Sequence, residues 1–104
     1  MIGKKLYLQP RDMVLNAIHD LAGMQKAKTL ICDSPKGFVR LLVSVYENEW
    51  EYNFTVKDII GSRSEVFIEL NGEEPDNKRL IDHEFALLDY VLTDHARMSD
   101  IAIM

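Results

Sequence analysis

Two short runs of alternating residues sit close together in the middle of the chain, Val39, Leu41, Val43, Val45 and then Trp50, Tyr52, Phe54, Val56. Strand side chains alternate with period two, so each run presents one apolar face. A two-residue turn at Glu47-Asn48 would set Val45 opposite Trp50, Val43 opposite Tyr52, Leu41 opposite Phe54 and Val39 opposite Val56. Cross-strand aromatic and β-branched pairs of this kind stabilise a sheet, and a one-residue slip would turn every one of them outward. The opposite face carries Arg40, Ser44, Glu49, Glu51, Asn53 and Thr55, together with the apolar Phe38, Leu42 and Tyr46.

The flanking segments read in the same way. From Pro10 to Ala22, the residues Val14, Ala17, Ile18 and Leu21 fall on one helical stripe. Pro10 suits the first turn, Asp12 favours the positive end of the dipole, and Gly23 suits a left-handed stop. Lys28 to Asp33 reads as a strand, and Ser34-Pro35-Lys36-Gly37 as a turn. Lys57 to Ser64 reads as a connection that includes a helical turn, and Glu65 to Leu70 as a strand ended by Asn71-Gly72. Asp76 or Asn77 then caps a second helix from Lys78 to His95, with Leu80, Ile81, Phe85, Leu87, Leu88, Val91 and Leu92 on its apolar stripe. Residues 1–9 and 98–104 are expected to be flexible or to add edge strands.

These elements predict a single two-layer α+β domain over residues 1–104, with an antiparallel sheet of three to five strands and both helices mainly on one face. A chain of 104 residues buries roughly 60–65% of its unfolded surface and needs no staple. The lone Cys32 excludes an internal disulfide, and within Leu30-Ile31-Cys32 a free thiol is expected to act as a small hydrophobe. The basic start is too short for a signal-peptide core, and no run approaches the ~20 apolar residues of a membrane span, so a cytoplasmic location without membrane contact is expected. A net charge of -5 with scattered Lys and Arg argues against a direct grip on nucleic acid.

Chemistry is sparse. Glu84 and His95 fall inside the apolar stripe of the second helix, where a carboxylate or imidazole must be paired or shifted in pKa. The preferred reading is structural, with Glu84 reaching solvent near the helix start and His95 complementing the negative pole. Each histidine has an aspartate neighbour, in His19-Asp20, Asp82-His83 and Asp94-His95. Helix neighbours project about 100° apart, so none of these is expected to form a dyad. No His-x-x-x-His pair, glycine-rich phosphate loop or nucleophile elbow occurs, so neither a metal site nor a cofactor is predicted.

The leading expectation is therefore a non-catalytic binding or regulatory protein that docks a protein partner, or a second copy of itself, on Phe38, Leu42, Tyr46 and Phe67. The alternative is a small-molecule binding domain or minor enzyme, with a pocket between the sheet and the second helix lined by Trp50, Tyr52, Glu84 and His95.

Overall fold

The computed structural model describes residues 2–45, 47–72 and 77–103, with side chains other than Val45 described as far as Thr93. The chain runs β1 (Ile2–Tyr7), α1 (Arg11–Met24), β2 (Lys28–Asp33), a short 3-10 turn (Ser34–Lys36), β3 (Phe38–Val45), β4 (Asn48–Ile59), β5 (Arg63–Leu70) and α2 (Asn77–Ile103). The five strands form one antiparallel sheet in the order β1-β5-β4-β3-β2. Helix α1 thus carries the chain from one edge strand to the other, and three successive hairpins bring it back.

Both helices cover the same face. Inward from the sheet come Val39, Leu41 and Val43 of β3, Tyr52, Phe54 and Val56 of β4, and Val66, Ile68 and Leu70 of β5, all buried. They meet Val14, Ala17, Ile18 and Leu21 of α1 and Leu80, Ile81, Leu88, Val91 and Leu92 of α2, as helical spacing predicts. Gly3 on β1 makes the closest helix crossing possible: a Cβ there would lie 2.5 Å from Ile81 Cγ2 and 2.8 Å from Phe85 Cε2.

The hairpin register differs from the expected one by two residues. Val45 pairs with Asn48, Val43 with Trp50, Leu41 with Tyr52 and Val39 with Phe54, and Glu47 takes the left-handed conformation at φ 67. A shift of two preserves which face each side chain occupies, so the alternation alone cannot distinguish the two registers. Tyr52 and Phe54 are sealed, while Trp50 is half-buried at the margin of the core.

Other boundaries move for local reasons. Helix α1 passes through Gly23 and ends at Met24 because Lys26 adopts the left-handed stop at φ 54. Lys26 N then donates to Gly23 O at 3.1 Å and Ala27 N to Ala22 O at 2.8 Å, which satisfies carbonyls of the last turn, while Ala27 packs against the core. The expected connection 57–64 is largely strand: β4 runs to Ile59, Arg63 pairs with Ile59, and Gly61 and Ser62 turn the chain at positive φ. Residues 2–7 form an edge strand, and 98–103 continue α2 rather than making a tail. Asp76, the other expected cap, lies outside the described residues. Cys32 is exposed on edge strand β2, with Sγ 3.7 Å from His19 Nε2, and not part of an apolar core. An edge strand has a neighbour on one side only, so its apolar residues are not drawn inward by the alternation that governs β3 to β5.

Phe54 sits at the centre of the inward face, so Phe54→Ala should cost about 3–5 kcal/mol in urea denaturation. Gly3→Ala should cost about 1–3 kcal/mol, because Ile81 and Phe85 must shift to admit the methyl group.

Candidate functional site

Glu84 is the one carboxyl side chain sealed among the described residues, with 0% exposure. Its position follows from the helix repeat: Leu80 and Leu88 lie one turn to either side, on the stripe that faces the sheet and α1. The solvent route expected for a carboxylate near the helix start does not exist. Seven residues into α2, Glu84 also lies beyond the first turn, where the helix dipole acts most strongly.

Two polar groups hold the carboxyl. Gln25, which closes the C-terminus of α1, donates from Nε2 to Glu84 Oε1 at 2.8 Å. His83 Nδ1 lies 2.9 Å from Glu84 Oε2, a hydrogen bond in which the proton resides on either partner. Burial disfavours the ionised form and pushes the Glu84 pKa up, although the hydrogen bonds and the charge of His83 oppose it. The His83 side chain is 39% exposed, so it joins the sealed carboxyl to solvent.

The structure brings two of the four expected pocket residues into this interior. The Tyr52 hydroxyl donates to Leu80 O at 3.3 Å, one helical turn before Glu84. Trp50 stands at the margin, and the side chain of His95 lies outside the described residues. Gln25 and His83 were not expected. Gln25 arrives only because α1 runs past Ala22, and His83 makes its contact from the adjacent helix position by turning its ring toward the longer Glu84 side chain.

A second polar cluster lies where β1 meets α2. The Tyr7 hydroxyl is buried without a well-formed hydrogen bond, with the Asp89 carboxylate beside it and the Lys5 ammonium paired to Asp89. Burial first, and then the neighbouring Asp89, push the Tyr7 pKa up.

The outer face of the sheet is less apolar than its residue types suggest. Phe38, Leu42 and Phe67 do point away from the helices, but each is half-buried. Arg40 lies over the Phe38 ring and Lys57 over the Phe67 ring, so basic stems cover apolar area that would otherwise be open to a partner. Tyr46, the fourth residue of the expected interface, lies outside the described residues. Among the described residues no helix is long and apolar enough to cross a membrane.

No family model matches the sequence, and no curated protein matches it. Solved structures do. The chain superposes on the di-domain ARO/CYC StfQ from the steffimycin biosynthetic pathway with a TM-score of 0.63 at 17% identity, covering 96% of this chain and 46% of that one. It therefore spans less than half the length of StfQ. The Zhui aromatase/cyclase from Streptomyces sp. R1128 superposes with a TM-score of 0.44 at 13% identity, covering 93% of each chain. Ara h 8.0201 gives 0.41 at 8% identity, over 89% of this chain and 97% of that one. The StfQ likeness identifies the architecture as a helix-grip fold. It also overturns the expectation of a non-catalytic protein working through contact on a sheet face.

The raised pKa of Glu84 has a thermodynamic consequence. The unfolded chain releases the Glu84 proton near its ordinary value of 4.5, whereas the folded chain holds it to higher pH. Within that window unfolding releases a proton, so this group's contribution to stability is greatest in acid and is lost as pH rises through the folded pKa. Urea midpoints measured from pH 4 upward should show the advantage of Glu84→Gln over wild type growing with pH. A constant difference across the range would place the Glu84 pKa at its ordinary value.

Proposed function

We propose that this chain is a small-molecule binding domain whose ligand enters between the sheet and α2 and is read by the Glu84 carboxyl. The observation that carries this reading is a sealed carboxyl group held by a replaceable partner. A buried carboxyl costs stability unless it is satisfied, and such groups concentrate at functional sites. Gln25 satisfies one oxygen from a half-exposed position at the end of α1, as the amide or hydroxyl donor of a ligand would. Withdrawal of that side chain exposes Glu84 Oε1 without disturbing the sheet. The helix-grip likeness to an ARO/CYC protein supports the same class of function.

The arrangement also suits acid–base work on a bound carbonyl compound. In this reading Glu84, kept protonated by burial, gives its proton to the carbonyl oxygen and becomes a carboxylate. His83, half-exposed and within hydrogen-bond reach, restores that proton from solvent.

Thermal shift with a panel of naphthols, hydroxyanthraquinones and flavones tests the reading. At least one bicyclic or tricyclic phenol should raise the melting temperature of the wild type and bind more tightly to Gln25→Ala, in which the competing amide is gone. Glu84→Leu should be as stable as wild type or more so, since a desolvated carboxyl group is replaced by an apolar side chain, yet should lose the ligand response. A response that survives intact in Glu84→Leu refutes the assignment of this carboxyl.

A further inference from the structure

On the face of the sheet away from Glu84, Phe38, Thr55 and Phe67 stand side by side across β3, β4 and β5 in direct register. Together with Ile2, Asn53, Lys57 and Glu69 they line an open cavity of about 230 Å³. We propose that this groove is a second ligand site, for a small planar aryl acid that carries a hydroxyl at its far end. It stands independently of the Glu84 site.

The dimensions select the ligand. Two strand spacings separate the Phe38 and Phe67 positions by about 9.6 Å. An aromatic ring inserted over Thr55 would stand about 4.8 Å from each phenyl, within the range that aromatic pairs favour. The cavity exceeds the roughly 150 Å³ that holds benzene, so a bicyclic ring fits. Lengthwise, Lys57 and Asn53 lie four residues apart on β4, about 13 Å, and mark the two ends of the groove.

The ends differ in charge. Lys57 Nζ stands 5.0 Å from the Phe67 ring centroid and forms no ion pair among the described residues, although Glu65 lies opposite it in register. It is the cation available for a ligand carboxylate. Arg40, by contrast, is committed to Glu51 at 3.2 Å and to Asn53 Oδ1 at 2.7 Å. At the other end Asn53 Nδ2 donates to Glu69 Oε1 over a long 3.4 Å, which leaves Glu69 able to accept from a ligand hydroxyl. An apolar slot with a cation at one end and an acceptor at the other is complementary to a hydroxyaryl carboxylate.

Titration with 6-hydroxy-2-naphthoate, followed by its fluorescence and by the NMR shift of the Thr55 methyl group, tests the proposal. Saturable binding should move the Thr55 signal, Lys57→Glu should weaken it by about tenfold or more, and neutral 2-naphthol should bind wild type comparably weakly. Thr55→Trp, which fills the slot with a good strand former, should abolish binding; if it fails to fold by circular dichroism, Thr55→Val with Phe67→Leu replaces it. The naphthoate should move the Thr55 methyl signal of Glu84→Leu as it moves that of wild type, which separates this site from the interior one. An unmoved Thr55 signal, an affinity indifferent to Lys57→Glu, or a Thr55 shift lost in Glu84→Leu would each overturn the proposal.

Discussion

The apolar face that β3, β4 and β5 present together has to be covered, and that requirement organises the molecule. Tyr52, Phe54 and Ile68 cannot be left in water, so both helices lie on their side of the sheet. Antiparallel hairpins can bring the strands side by side but cannot cover them. The chain therefore places one helix before the hairpins and one after. Gly3 then lets α2 approach the β1 edge more closely than any residue with a side chain would allow.

Covering that face also creates the sealed carboxyl. A helix laid across the sheet buries every position of one stripe, and Glu84 occupies one of those positions between Leu80 and Leu88. A leucine would serve the fold as well or better, since a carboxyl group removed from water must be matched by hydrogen bonds that only offset its loss of hydration. Gln25 and His83 supply those bonds from two different places, the end of α1 and the preceding residue of α2. The arrangement ties the helix–helix seam to the protonation of one group.

One-sided covering has a further result on the opposite face. Antiparallel sheets tolerate water on one side, and there the alternation puts Asn53, Thr55 and Lys57 among Phe38 and Phe67. The long basic side chains fold over the phenyl rings, which converts a would-be apolar patch into a groove with charged ends. Of the residues that suggested a flat docking surface, Phe38 and Phe67 thus line a groove.

Sequence periodicity by itself determined the fold class, the central hairpin, both helical stripes and the placement of Glu84 within one of them, because burial alternates with the period of the backbone. It could not choose between hairpin registers two residues apart, since both keep Leu41 and Tyr52 inside. Nor could it place the end of α1, where Lys26 takes a conformation that glycine usually supplies and Gly23 remains helical. Only the tertiary structure brought Gln25 to Glu84 from 59 positions away and set Phe38, Thr55 and Phe67 abreast on three strands. Such contacts join residues distant in the chain through packing that no local pattern encodes. A lone carboxyl in an apolar stripe is visible to periodicity, whereas the partners that hold it are set by packing alone.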